Sequence, residues 1–166
     1  MPPFKRRPAR DAEPAPPELN IRVAALRLLG RRDYTASELT DRLSQRGYDD
    51  EAIQQVIVRL RSERSLDDRR VAEAHVRSAS RIKRRGRLRI ERELIARGID
   101  RATASAALAA LSPDDDVTAI RQVLARKRVP AKLDPAARRR IFQHLMRRGF
   151  AAGAISKVLG RSIEDD

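Results

Sequence analysis

Leu39 and Leu43 fall four residues apart, and Ile53, Ile57 and Leu60 follow at i, i+4 and i+7. That spacing places apolar side chains on one stripe of a helix. No run of alternating β-branched residues suggests a sheet. The pattern therefore predicts an all-α protein. Residues 18–31 supply a first helix, and Thr35-Ala36-Ser37-Glu38 reads as a capping box opening a second. Asp67-Asp68 can cap a helix holding Val71, Ala72 and Val76. Ser112-Pro113-Asp114-Asp115 is another start signal, with proline at the first helical position. A longer loop through Pro130 precedes the start at Asp134-Pro135.

The pattern repeats. A shift of 51 residues aligns the sequence with itself twice without a gap. Leu39 meets Ile90 and Ile141, and Leu43 meets Leu94 and Leu145. Arg46-Gly47-Tyr48 meets Arg97-Gly98-Ile99 and Arg148-Gly149-Phe150, so three of the seven glycines share one column. Ile53 meets Ala104 and Ile155, and Ile57 meets Leu108 and Leu159. A period of this length signals tandem structural units. A leucine, three residues, glycine and an apolar residue describe a helix closed by a Schellman turn, with glycine left-handed at C′. Asp49 and Asp100 can cap the next helix, whereas Ala151 in the third copy cannot. Three tandem three-helix repeats result, over residues 18–65, 66–111 and 112–166. Six of the nine prolines lie in residues 1–17, a basic segment expected to be a disordered tail.

Charge changes the picture from fold to partner. The net charge is +14. It is unevenly spread: residues 18–66 carry nine basic and eight acidic groups, residues 67–112 twelve and six, and residues 113–166 twelve and seven. Such an excess favours polyanions, because each basic side chain near a phosphate releases a condensed counterion. The absence of cysteine excludes disulfides and cysteine metal sites. The apolar run 102–111 is too short to span a bilayer, and no apolar stretch of a secretory signal follows the basic start. A cytoplasmic protein is expected.

Catalytic patterns are missing. His75 and His144 each stand alone on a helix, without metal-ligand spacing, and no G-x-S-x-G, P-loop or G-x-G-x-x-G occurs. Asp67-Asp68 and Asp114-Asp115-Asp116 could in principle hold Mg²⁺ for a nuclease, but each group sits at a helix start, where carboxylates satisfy free amides. No catalytic residue, cofactor or metal is expected. The basic clusters are the candidate site: Arg81, Lys83, Arg84, Arg85 and Arg87 after the leading helix of repeat two, and Arg126, Lys127 and Arg128 at the matching turn of repeat three. Arg138, Arg139, Arg147 and Arg148 extend the set. Arg87 can pair with Glu91 and Arg89 with Glu93 at i, i+4, while Lys83, Arg84, Arg85 and residues 126–128 have no such neighbour. With Phe4, Tyr34, Tyr48, Phe142 and Phe150 as the only aromatics, contact is expected mainly with phosphates or an acidic protein.

These residues resemble the RecX family, regulators of the bacterial RecA recombinase. The likeness runs through Ala25-Leu26-Arg27-Leu28-Leu29, Glu38-Leu39 and Arg46-Gly47-Tyr48, then Leu66-Asp67-Asp68, Ala72 and Val76-Arg77. It continues through Gly86, Arg89-Ile90, Glu93-Leu94 and Arg97-Gly98-Ile99 to Leu145 and Arg147-Arg148-Gly149-Phe150. Val71 and His75 depart from it, standing where the family usually has aromatics. The resemblance implies an elongated, curved helical array, a monomer lodged in the groove of the RecA–DNA filament. It implies modulation, usually inhibition, of ATP hydrolysis and strand exchange, with non-sequence-specific binding of single- and double-stranded DNA. The rival reading is a helix-turn-helix transcriptional regulator, which would place one helix in a major groove and usually dimerise.

Overall fold

The computed structural model describes residues 17–130 and 132–160. The proline-rich tail expected over residues 1–17 lies outside them, except for Pro17, which opens the first helix. Among the described residues every regular element is helical: α1 Pro17–Leu29, α2 Ala36–Ser44, α3 Asp50–Ser62, α4 Asp68–Arg77, α5 Arg87–Ala96, α6 Arg101–Leu108, α7 Pro113–Arg126, α8 Pro135–Arg147 and α9 Ala152–Gly160. A π-helical turn, Ser78–Ile82, prolongs α4.

The repeated columns are the core. Leu43, Leu94 and Leu145 are fully buried, as are Ile53, Ala104 and Ile155. Ile57, Leu108 and Leu159 are buried at the next position. Each glycine in the repeated block is left-handed, with φ of 82°, 78° and 86° at Gly47, Gly98 and Gly149. Tyr48, Ile99 and Phe150 each return their amide to the leucine carbonyl five residues back, at 3.4, 3.2 and 3.3 Å. This is the Schellman pattern that the sequence predicts.

Helix starts follow the capping residues. Asp49 accepts from the amides of Glu51 and Ala52, and Asp100 from that of Thr103. Asp67 accepts from Arg70 and Asp134 from Ala137. The Thr35–Glu38 capping box is reciprocal: Glu38 N–H donates to Thr35 Oγ1 at 3.1 Å, and Thr35 N–H to the Glu38 carboxylate at 3.2 Å. At α7 the Asp115 carboxylate accepts from the Ser112 amide at 2.8 Å. Asp68 behaves otherwise than expected. Its carboxylate accepts from Ala36 N–H at 2.8 Å and so serves the start of α2.

The chain forms two compact units. One holds residues 17–33 and 39–66; the other holds residues 34–38 with the described residues from 67 onward. In the first, α1 packs on α3, and Ile21, Ala25, Leu28, Leu43, Ile53 and Leu60 fill the interior. In the second, α4 packs on α5 and α6 around Val76, Ile90, Leu94 and Ile99. There α7 and α8 also pack on α9, around Ile120, Leu145, Phe150 and Ile155.

Within the second unit one docking device occurs twice. The Arg97-Gly98 turn meets residues 34–38: Thr35 Oγ1 donates to the Arg97 carbonyl at 2.6 Å, and the Arg97 guanidinium forks onto Glu38 at 2.9 and 3.1 Å. Fifty-one residues on, the Arg148-Gly149 turn meets the start of α5. Gly86 N–H donates to the Arg148 carbonyl at 2.9 Å and Leu88 N–H to the Gly149 carbonyl at 3.1 Å.

Candidate functional site

The basic turn after α4 is built by an irregular helix end. Lys83 N–H reaches back five residues to the Ser78 carbonyl at 3.2 Å, and Arg85 N–H six residues to Ala79 at 2.9 Å. Arg84 between them is left-handed, with φ 47°. The turn after α7 closes similarly, with Arg128 left-handed at φ 51° and Val129 N–H donating to the Leu124 carbonyl at 3.1 Å. A side chain in that conformation costs about 1–2 kcal/mol relative to glycine. Both leading helices of this unit thus end on a strained arginine.

The turn 83–85 is held from the third repeat. The Arg148 guanidinium donates to the carbonyls of Lys83 and Arg84, where a helix end leaves acceptors free. Desolvation lowers the pKa of Arg148, and the charges of Arg89, Arg85 and Arg84 add to this. Arg84 Nε donates to Gln122 Oε1 at 2.9 Å. Arg85, expected to lack an acidic neighbour, forms an ion pair with Glu93 at 2.6 Å. Its partner lies eight residues away, brought close because the turn folds back on α5.

Glu93 gathers three donors. Arg89 meets it at 2.9 Å, as the i, i+4 spacing predicts, and His75 Nε2 lies 3.0 Å from its other oxygen. Desolvation raises the Glu93 pKa, but the hydrogen bonds from Arg89, Arg85 and His75 outweigh it and hold the carboxyl below its ordinary range. His75 is thus occupied by this carboxylate, while Val71 is buried in the core.

The other expected site residues divide by exposure and partner. Arg87 does not pair with Glu91; its guanidinium donates to the Leu111 carbonyl. Arg138 is half-buried and donates to the Leu159 carbonyl at 2.8 Å, closing the end of α9. Arg81, Lys83, Arg126, Lys127, Arg128, Arg139 and Arg147 are exposed. Among the described residues these seven side chains have no ion-pair partner. The two basic stretches converge electrically on His144. Desolvation lowers its pKa first, followed by the charges of Lys127, Arg148 and Arg147. Its Nε2 is buried without a hydrogen-bond partner.

Sequence reasoning missed the π-turn, the Arg148 clamp and the Glu93 cluster. The carbonyls that Arg148 meets lie 64 and 65 residues away, and only the arginine column at 97 and 148 hinted at a shared docking role. Among the described residues no cluster of His, Cys, Asp or Glu could hold a metal ion, and no helix is long and apolar enough to cross a membrane.

The helices and turns define a class: tandem three-helix repeats closed by glycine turns and carrying basic loops. Three domain families match in order: RecX, first three-helix domain, at residues 22–60; second, at 67–108; and third, at 114–159. The regulatory protein RecX of Halorhodospira halophila is 38% identical over 151 residues, covering 88% of this chain and 90% of that protein. That of Thermobifida fusca is 34% identical over 163 residues, covering 93% and 88%. The crystal structure of RecX from Lactobacillus salivarius superposes with a TM-score of 0.81 at 22% identity, over 89% of this chain and 97% of that one. The chain belongs to the RecX family of regulatory proteins.

Proposed function

We propose that this protein regulates RecA without catalysis of its own, acting in the cytoplasm as a monomer. It binds the RecA–DNA filament and restrains ATP hydrolysis and strand exchange. The observation that carries this reading, beside family membership, is the set of exposed cations at Lys83 and residues 126–128 without intramolecular partners among the described residues. Cations left unpaired in a folded chain are available to a polyanion. They sit at helix ends instead of along one recognition helix, which favours phosphate contact over base reading.

Addition of the protein to preformed RecA filaments, with ATP hydrolysis followed over time, tests the reading directly. A fall in hydrolysis that grows with protein concentration is expected; unchanged hydrolysis at saturating protein would refute it. With about four to six phosphate contacts to a single strand, DNA affinity should fall with salt at a log–log slope near −3 to −4. A flat salt response or strong preference for one duplex sequence would favour the helix-turn-helix reading.

A further inference from the structure

Two neighbouring cavities of about 350 and 240 Å³ lie in the second unit. They share Ser80, Arg81, Ala110 and Leu111, and so form one groove. Ser80 and Arg81 belong to the π-turn. An extra residue in a helical turn re-aims the side chains that follow, and such turns are frequent at functional sites. Ser80 Oγ bonds back to the Val76 carbonyl at 2.7 Å, leaving Arg81 as the side chain of this pair free to meet a ligand.

The floor of the groove is apolar and low. Val76 and Ala107 are buried, Leu111 is half-buried, and Ala106 and Ala110 present exposed methyl groups. The rim is basic. Arg69 is paired with Glu73 at 2.9 Å, but Arg77 and Arg81 are exposed and have no ion-pair partner among the described residues. A floor of small residues leaves room for side chains from outside, and unpaired guanidinium groups beside it bind anionic groups, carboxylates among them.

We propose that this groove binds an acidic peptide segment of a partner protein, with aliphatic side chains seated on the alanine–leucine floor and carboxylates on Arg77 and Arg81. Charge complementarity calls for an anionic occupant, and the lining chooses between the kinds. Nucleic acid fits less well for two reasons. No aromatic side chain lines either cavity to stack a base. Glu73, Asp115 and Asp116 also interrupt the basic rim, which repels an unbroken run of phosphates but suits a peptide able to space its charges. The proposal stands apart from the RecA reading, because its test needs only this chain and a peptide.

The probe is a short fluorescein-labelled peptide of glutamates spaced by glycines, with two leucines four residues apart, followed by fluorescence anisotropy. A counterpart with serines for the leucines and a labelled oligothymidylate of equal length complete the set. The leucine peptide should bind at least about tenfold more tightly than the serine peptide. Joint substitution Arg77→Glu and Arg81→Glu should remove that binding, and Ala110→Phe, which fills the floor without changing charge, should weaken it at least about fivefold. Circular dichroism of both variants should match the parent. Failure of the leucine peptide to bind, equal affinity for both peptides, or binding that survives both variants overturns the proposal. Oligothymidylate binding that is lost in Ala110→Phe, without peptide binding, would make the groove a nucleic-acid site and overturn it equally.

Discussion

Gly86 and Gly149 meet backbone to backbone. A methyl group on Gly86 would lie 2.3 Å from the Gly149 carbonyl carbon and oxygen, closer than any such group can sit. The hydrogen bond from Gly86 N–H to the Arg148 carbonyl holds the pair at that distance. Gly98 makes the corresponding approach to Ser37, whose Cβ would lie 2.2 Å from an added methyl group. Gly47, in the same column of the first repeat, would meet nothing within 4 Å.

These three positions separate backbone strain from contact. Gly47→Ala should cost about 1–2 kcal/mol, the price of a side chain at positive φ. Gly98→Ala bears that cost and also forces Ser37 to move, so it should lose about 1–3 kcal/mol more. Gly86→Ala has no φ penalty, since its φ is −74°, and should lose about 1–3 kcal/mol from the clash alone. Urea denaturation of the three variants reads these differences. Equal losses at Gly47 and Gly98 would mean that the Ser37 contact does not form.

The Arg148 clamp predicts a residue-specific loss. Arg148→Met removes charge-assisted hydrogen bonds to two carbonyls and should lower stability by about 1–3 kcal/mol. Arg148→Lys should recover little of this, because an ammonium cannot span two acceptors as the planar guanidinium does. Full rescue by lysine would show that charge, not the fork, holds the turn.

Much of this was legible in the sequence because it is local. The Schellman turns close within six residues, and the columns of Leu43, Leu94 and Leu145 bury the face that their periodicity predicts. Asp49, Asp67 and Asp100 cap the helices they precede for the same reason. Asp68 and Arg148 were not legible, since their partners lie 32 and 64 residues away and depend on how repeats dock. The i, i+4 spacing divides the basic run 81–89 in sequence, and folding redraws that division. Arg85 and Arg89 go to Glu93, Arg87 goes to Leu111, and Arg81 and Lys83 remain exposed.

His144 should make stability depend on pH. Its folded-state pKa is lowered, so the unfolded chain binds the proton more readily. Stability is then fully present above the unfolded value of about 6.5 and is lost as pH falls through that region toward the folded pKa. His144→Gln should flatten the fall in thermal stability as pH drops below about 6.5. The Glu93 contribution has the same sign but a lower window, fading as pH drops below about 4.5. A pH slope that is unchanged in His144→Gln would assign the effect elsewhere.

Arg128 holds a left-handed conformation that glycine adopts at lower cost. Arg128→Gly should therefore raise stability by about 0.5–1 kcal/mol, after allowance for glycine's greater freedom when unfolded. The same variant should restrain RecA less well, since its guanidinium is exposed and unpaired among the described residues. A loss of stability would show that the side chain holds the fold instead.

The exposed cations at the turn after α7 are the proposed contact with the RecA–DNA filament. ATP hydrolysis by preformed RecA filaments, titrated with Arg126→Glu/Lys127→Glu and with Arg42→Glu/Arg46→Glu, tests it most directly. Both variants change charge equally, and all four side chains are exposed, so folding stability should move little. The 126/127 variant should need at least about fivefold more protein for half-maximal restraint, a shift that shrinks as salt rises. The 42/46 variant, in the nearly neutral first repeat, should match the parent. Equal restraint by both variants would mean that this turn does not meet the filament.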